Sequence, residues 1–160
     1  VTFRIARVEE LGVLDDLDYV YTERIECKWP LRTHLEAGSR IGAHANSGGK
    51  LMLTQLEPEV LKKLLKGRKL RAYTRHTLTR PAGLLAELEL VRERGYALNN
   101  EELFDGIVGV AVPIAGEGRR TFAALAMHGP MTRLTLQDCE NLVPKLRRTA
   151  DKLARVWLGK

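Results

Sequence analysis

The sequence from Ile107 to His128, IVGVAVPIAGEGRRTFAALAMH, identifies the centre of the fold. Ile107 to Ala115 is an almost continuous apolar run of strand length, and Thr121 to His128 is a second apolar run. Gly116 to Gly118 lies between them and has the composition of a turn. Two such runs around a glycine-rich turn predict an antiparallel hairpin in the middle of a sheet.

Further strand candidates lie near the start of the chain. Residues Val1 to Val8 alternate apolar and polar side chains, and Asp18 to Ile25 is rich in residues that favour strands. The region between them contains Gly12 and Asp15-Asp16, so the pair is interpreted as a hairpin with a loop longer than usual. Leu31 to Glu36 is another candidate strand.

Three helices are predicted between these strands and the central hairpin. The first covers Lys50 to Leu56, with Asn46 and Ser47 as candidate N-caps. The second lies within Pro58 to Gly67 and the third within Thr79 to Gly95, because proline favours a helix start and glycine a helix end. Tyr96 to Leu98 is predicted to be a short strand. Asn99 to Gly106 is predicted to be an acidic turn that leads into the hairpin.

The last helix is predicted from about Leu136 to Trp157, with Thr135 as its N-cap and Asp138 at the capping-box position. Its apolar residues, Cys139 among them, recur at steps of three and four, so one stripe must pack against the sheet or a partner helix. Pro144 lies inside this helix and is expected to kink it or to divide it in two.

The order of elements is strands, helices, strands, helix, without regular alternation of strand and helix. A parallel doubly wound sheet needs that alternation, so the sequence favours an α+β fold in which helices flank an antiparallel sheet. Residues 1–160 are of single-domain length, and no repeat or linker divides them. Because the chain opens at Val1, within a predicted strand and without Met, it is expected to be a fragment of a longer protein.

Composition excludes some functions. The 160 residues include 26 Lys and Arg against 20 Asp and Glu, a formal net charge of +6. The two signs are interspersed, and the densest basic stretches, Lys62 to Arg71 and Lys145 to Arg155, are interpreted as solvated faces rather than a nucleic-acid groove. A positive field still attracts small organic anions.

The sequence predicts a reduced, cytoplasmic chain with no membrane partner. It has two cysteines without redox spacing, and no apolar run approaches the ~20 residues of a membrane span.

The sequence carries no motif for metal binding or catalysis. The four histidines are not spaced as metal ligands, and neither a GxSxG motif nor a complete phosphate-binding loop is present, so no metal, cofactor or enzymatic activity is expected. His44 is expected to be a hydrogen-bonded structural residue, whereas for His128 structural and functional roles both stay open. Glu101, Glu102 and Asp105 form an acidic loop of a kind that is usually solvated.

The glycine-rich start of the first helix has two interpretations. Ser47, Gly48 and Gly49 leave backbone N–H groups accessible at a helix start, where the helix dipole favours an anion such as a carboxylate. The alternative is that the glycines only allow the helix to pack closely on the sheet. Taken alone, the packing interpretation is favoured.

Two longer stretches resemble a known family. Residues 38 to 53, GSRIGAHANSGGKLML, and residues 85 to 114, LAELELVRERGYALNNEELFDGIVGVAVPI, are similar to the effector-binding domain of the IclR family of bacterial regulators. Shorter pieces at 73–79 (YTRHTLT) and 123–130 (AALAMHGP) follow the family's order. The resemblance implies a GAF-like domain and a winged helix-turn-helix DNA-binding domain that is absent from this chain.

The resemblance also implies a ligand site, between the sheet and the loop that opens the first helix. The positions that carry over are Asn46, Ser47, Gly48, Asn99, Gly109, Ala126 and His128. The first three of them would present backbone N–H groups to a ligand carboxylate.

Four of these positions depart from the family's usual residues. Asn99 falls where several members have Asp, Gly109 where many have Cys, and Ala126 and His128 where many have Ser. The small residues would enlarge the pocket, and His128 would add a bulky donor that can be cationic. These changes favour an effector larger than a two-carbon acid, aromatic acids included. Arg40 would pair with the effector if it pointed inward, and a surface position is its alternative.

The resulting hypothesis is the sensing domain of a bacterial transcription regulator. A small organic acid would bind, and a homodimer or homotetramer would relay binding to operator DNA through the missing N-terminal domain. One alternative is a small GAF-like enzyme that acts on an organic acid through His128 with Glu101 or Asp105. The other is a purely oligomerising module built from the last helix and the first strands.

Overall fold

The computed structural model describes residues 8–25, 36–116 and 120–157, which form an α+β fold as predicted. The strands in these ranges are β1 (Val8–Asp15), β2 (Asp18–Ile25), β3 (Arg40–Gly42), β4 (Ala97–Asn100), β5 (Ile107–Ala115) and β6 (Thr121–Pro130). The α-helices are α1 (Ser47–Leu53), α2 (Pro58–Leu65), α3 (Pro81–Arg94) and α4 (Leu136–Trp157), and a 3-10 turn at Ala43–Ala45 precedes α1.

One antiparallel sheet contains all six strands in the order β3-β2-β1-β6-β5-β4. The predicted hairpin β5–β6 therefore occupies the interior of the sheet, as its apolar composition indicated. Alternate residues of a strand point to opposite faces. Val108 and Val110 pack towards α4, whereas Gly109 and Ala111 lie on the face that α1 covers. The α1 face of the hairpin is thus lined by small residues.

Helix α4 packs its apolar stripe on the valine-rich face of the hairpin. Cys139, Val143 and Leu146 are buried there, and each large aliphatic side chain contributes about 1.5–3 kcal/mol by leaving water. The expected division at Pro144 is not found, since α4 runs unbroken from Leu136 to Trp157. Pro144 lies on the exposed side of the helix, where water can satisfy the carbonyl group that the missing N–H leaves unbonded.

Two predicted helix caps are present. Asn46 precedes α1, and its side-chain oxygen accepts a hydrogen bond from the Gly49 amide at 2.7 Å. Thr135 and Asp138 form the capping box of α4, each side chain accepting from the other's backbone N–H at 3.1 and 2.9 Å. Gly95 ends α3 in the left-handed conformation, at φ 72°.

The first hairpin differs from the prediction in its loop. Strand β1 continues through Gly12 to Asp15, which pairs with Asp18, so the connection is the two residues Asp16 and Leu17. The register shifts at Gly12. A Cβ on Gly12 would collide with the Tyr19 ring, so this glycine provides space for packing and is not a turn residue.

Three other predicted segments can be compared with the structure only in part. The predicted strand Val1 to Val8, the candidate strand Leu31 to Glu36 and the turn Gly116 to Gly118 lie mostly outside the described residues. Strand β4 includes Asn99 and Asn100, which were assigned to a turn, and β3 is an element that the sequence does not predict. Across the described ranges, the length and hydropathy of the helices do not match those of a membrane span.

Candidate functional site

Three of the seven predicted site residues form a row across the sheet. Asn99 on β4 pairs with Gly109 on β5, which pairs in turn with His128 on β6. Ala126 is two residues from His128 and therefore lies on the same face of β6. This is the face that α1 covers, so the sheet places these four residues opposite the start of that helix.

A side-chain contact joins the start of α1 to this row. The Ser47 hydroxyl lies 3.2 Å from Nε2 of His128, across 81 positions of sequence. Ser47 is fully buried, and His128 is partly buried. The two polar side chains therefore meet in an otherwise largely apolar region between helix and sheet.

Asn46 holds a donor that the described protein leaves unsatisfied. Its Oδ1 caps α1 through the Gly49 amide, whereas its Nδ2 is buried and has no hydrogen-bond partner among the described residues. The side chain is only 1% exposed. A buried amide donor without a partner is uncommon in native proteins and is energetically unfavourable, so an additional acceptor is expected there.

The glycines at the start of α1 have a packing role. A Cβ on Gly48 would lie 2.5 Å from the hydroxyl of the buried Tyr19, and a Cβ on Gly49 would collide with the backbone of Ala43. The close approach of α1 to the sheet therefore requires both glycines. Packing and presentation of N–H groups are compatible, because the first amides of a helix have no partner within it.

His128 occupies the space above Gly109. A Cβ at position 109 would collide with the imidazole carbon Cδ2 and would lie 2.7 Å from Nε2 and from the Met127 carbonyl oxygen. The space that glycine leaves in place of a larger residue is therefore filled by the imidazole. The expected gain of pocket volume at Gly109 is not found, and His128 instead presents a polar ring at this point.

Behind Asn99 lies a buried ion pair. The Asn99 side-chain oxygen accepts from the Glu102 amide at 3.1 Å, and the Lys50 ammonium lies 2.8 Å from both carboxylate oxygens of Glu102. Glu102 is buried rather than solvated, contrary to the expectation for this acidic loop. Burial raises the pKa of Glu102, and the charge and hydrogen bond of Lys50 oppose that shift.

The loop between β4 and β5 is fixed by further hydrogen bonds. The Thr74 hydroxyl donates to the Glu101 carbonyl at 2.7 Å, and the Thr77 hydroxyl donates to the Glu102 carbonyl at 2.6 Å. Glu101 has a left-handed backbone, at φ 58°, and its carboxylate accepts from the Gly106 amide at 2.7 Å. Glu101, one of the two carboxylates considered for acid–base chemistry with His128, therefore accepts a hydrogen bond within its own loop.

Arg40 and His44 lie in a different region. Arg40 is about half exposed and pairs with Asp15 at 2.7 Å and Asp18 at 3.3 Å. Arg40 and His44 help to line an open cleft of about 350 Å³, and none of the seven predicted site residues lines it. His44 is structural, as expected: its Nε2 lies 2.9 Å from the Arg71 carbonyl oxygen, and burial lowers its pKa.

The sequence indicates no role for Tyr19 or Lys50, and it assigns Glu102 to an acidic loop that is usually solvated. In the structure Tyr19 packs against Gly48, and Lys50 and Glu102 lie behind Asn99. Lys50 stands alone in an apolar helix, which is the only signal that it is unusual. Within residues 8–25, 36–116 and 120–157, no group of three or more His, Cys, Asp or Glu side chains is arranged to hold a metal ion.

Comparison with known proteins identifies relatives over nearly the whole chain. The family model described as "Bacterial transcriptional regulator IclR C-terminal" matches residues 4–155. The Probable transcriptional regulator SauR of Cupriavidus necator is 38% identical over 154 residues, which are 96% of this chain and 61% of that protein. The Transcriptional repressor IclR of Escherichia coli is 35% identical over 127 residues, 78% of this chain and 46% of that protein.

A solved structure agrees with these relatives. The inducer-binding domain of a PobR double mutant from Acinetobacter, in complex with 3-hydroxy benzoic acid, has a TM-score of 0.83 and 29% identity. The match covers 93% of this chain and 88% of that one. The chain spans 61% and 46% of the length of the two curated relatives. Because sequence and fold agree over almost all residues, the chain belongs to the IclR family of bacterial transcriptional regulators and corresponds to their C-terminal domain.

Proposed function

We propose that this domain senses a small organic acid between α1 and the sheet. The observation that carries the proposal is the buried Asn46 Nδ2 donor, which has no partner among the described residues and belongs to the residue next to Ser47, whose hydroxyl contacts His128. Polar groups that converge in an apolar interior are typical of small-molecule sites. The proposed site residues are Asn46, Ser47, Gly48, Asn99, Gly109, Ala126 and His128.

A carboxylate fits the donors of this site. The amide of Asn46, the hydroxyl of Ser47 and the imidazole of His128 can all donate hydrogen bonds, and a carboxylate accepts several at once. Ala126 offers apolar contact to the rest of the ligand. The 3-hydroxy benzoic acid complex of the PobR domain supports an aromatic acid as the first class to test.

The domain would pass this signal to a DNA-binding domain outside the chain. An effector regulates only if it binds one arrangement of the parent protein better than another. We propose that a homodimer or homotetramer in the bacterial cytoplasm makes this selection, and that operator DNA is bound by the parent protein's other domain. The names of the relatives, a transcriptional regulator and a repressor, support this role rather than that of an enzyme.

Thermal unfolding with added acids tests the proposal. The acids are 3-hydroxybenzoate, 4-hydroxybenzoate and acetate, and the neutral 3-hydroxybenzyl alcohol tests the need for a carboxylate. A ligand at ~100 times its Kd adds about 2.7 kcal/mol to the free energy of unfolding, enough to raise Tm by several degrees. We expect an aromatic acid to raise Tm and the alcohol not to.

Asn46→Asp is the most selective variant. Aspartate caps a helix as well as asparagine, so α1 should remain intact, but the variant replaces the donor Nδ2 with a charged acceptor that repels an acid. We expect the acid's Tm shift to disappear, whereas Tm without ligand should fall, because the buried carboxylate loses hydration that the helix start only partly replaces. Asn141→Asp, at an exposed position of α4, is the matched control and should keep the shift. An unchanged shift in Asn46→Asp would exclude this site.

A further inference from the structure

A buried ionic cluster behind the candidate site has no part in binding the acid as proposed above. Its centre is Lys50 on α1, which is 1% exposed although it carries a full ammonium group. The ammonium lies 2.8 Å from the carboxylate oxygens of Glu102 and 3.4 Å from Oε1 of Glu87 on α3. A buried lysine is stable only where its charge is compensated, so its two partners are structural necessities.

The cluster connects three segments of the chain. Lys50 follows the proposed site residues at the start of α1, and the Glu102 amide is bonded to Asn99, another of them. Glu87 brings in α3, where it also accepts from Arg94 at 2.8 Å. One ammonium group therefore joins α1, the loop after β4 and α3.

Such a connection favours concerted movement. If one segment moved away alone, it would leave a buried charge without its partner, which is strongly destabilising. Arrangements in which the three segments move together keep the pairs intact. A packed ionic network of this kind can carry energetic coupling between distant residues.

We propose that Lys50 is a positioning residue that couples the effector site to helix α3. It does so by holding Glu102, and through it Asn99, in a fixed relation to Glu87. The assignment of Asn99 to an effector site rests on the proposed function, but the coupling is a property of the chain itself and can be measured without ligand.

A double-mutant cycle between Asn99→Ala and Glu87→Gln tests the coupling. Unfolding equilibrium constants are measured by urea denaturation for the parent chain, both single variants and the double variant. Coupled residues deviate from additivity by roughly 2-fold to 150-fold in the equilibrium constant. Glu87→Gln changes the unfolding equilibrium constant by some factor in the parent chain. We expect this factor to be about 3-fold or more larger or smaller when Asn99→Ala is also present.

Glu89→Gln is the matched control on the same helix. Glu89 is exposed and pairs with Arg92 at 2.6 Å, outside the cluster. Its effect should be the same with and without Asn99→Ala. Coupling of equal size at Glu89 would show a general response of α3 and would overturn the role of Lys50.

The cycle is then repeated without the ion pair. Lys50→Met combined with Glu102→Gln removes both buried charges and so avoids an isolated carboxylate. We expect the coupling between Asn99 and Glu87 to fall to a factor of one in this background. Coupling that persists there, or is absent from the parent chain, overturns the proposal. If the paired variant does not fold, the parent cycle and the Glu89 control still decide.

Hydrogen exchange separates this inference from the proposed function. With 3-hydroxybenzoate bound, protection of α3 amides should appear in the parent chain and be lost in the Lys50→Met, Glu102→Gln variant. If no acid raises Tm or protects any segment, the proposed function fails, whereas the ligand-free cycle keeps its own result.

Discussion

His128 and Gly109 constrain each other directly. The imidazole lies over the glycine, and a side chain at 109 would meet both the ring and the Met127 carbonyl. The resemblance to the family implied that both positions belong to a ligand site, but not that His128 fills the space left by the glycine at 109. That fact depends on the pairing of two strands, which residue type alone does not specify.

Gly109→Ala should destabilise the fold. Its methyl group must displace the imidazole and approach a backbone oxygen 2.7 Å away, and overpacking of this kind costs about 1–3 kcal/mol. Urea denaturation measures the change. The cost should be smaller when His128→Ala is also present. Gly83→Ala on α3, where the nearest atom is 3.9 Å away, is the control and should be neutral or stabilising.

His44 should make stability depend on pH on the acid side. Burial lowers its pKa below the ordinary value of 6.5, so below pH 6.5 the unfolded chain takes up the proton first and the free energy of unfolding falls. His44→Gln should reduce this loss in denaturation curves recorded across that range. His76→Gln, at a more exposed histidine, should leave it in place. An unchanged pH dependence in His44→Gln would contradict this assignment.

The burial of Lys50 and Glu102 does not follow from their residue types. A lysine after a glycine pair and a glutamate in an acidic loop both suggest solvated side chains. They are buried because α1 and the loop after β4 meet at the back of the site, 52 positions apart in sequence. A contact of this range leaves no periodic signal in either segment.

At the scale of elements, periodicity predicts what is long and regular. The hairpin β5–β6 follows from two apolar runs around a glycine-rich turn, and the helices α3 and α4 follow from helical spacing with proline, glycine or capping residues at their ends. Strand β3 has three residues, too few for a pattern. The loop predicted between β1 and β2 is longer than the two residues observed, because Gly12 is typical of a turn but here provides room for the Tyr19 ring within β1.

Pro144 lowers the stability of α4. Proline removes one hydrogen bond from a helix interior and can cost about 3 kcal/mol. Since Pro144 is exposed, Pro144→Ala should restore the bond without loss of packing and raise the free energy of unfolding by about 1–3 kcal/mol. Urea denaturation checks this, with the exposed Arg148→Ala as control. A destabilised variant would show that the helix depends on the proline.

The molecule as a whole has two unlike faces on one sheet. The large aliphatic side chains of β5 and β6 pack against α4, and the small ones admit α1 closely enough for Ser47 to reach His128. The sequence predicts a hairpin of two apolar strands, but not that its two faces differ in side-chain size. The resemblance to the family implied that the ligand site lies between the sheet and the start of α1, which is the face of small side chains in the structure.

The proposed oligomer can be tested at the end of α4. Val156 and Trp157 are 74% and 49% exposed, and apolar side chains grouped at a surface favour association. Light scattering at micromolar concentration should give a dimer or tetramer, and Trp157→Arg should shift the population towards monomer. Val60→Arg, at an exposed apolar residue of α2, is the control and should not. A monomeric parent chain would contradict the proposed assembly.

We propose that a small acid binds where α1 meets the sheet. Amide chemical shifts, recorded by NMR while 3-hydroxybenzoate is added to the purified domain, test it most directly. We expect saturable changes concentrated at 46–48, 99, 109 and 126–128. Changes concentrated instead at 40–44 and 68–71, which line the cleft beside Arg40, would contradict it and would move the ligand to the other region.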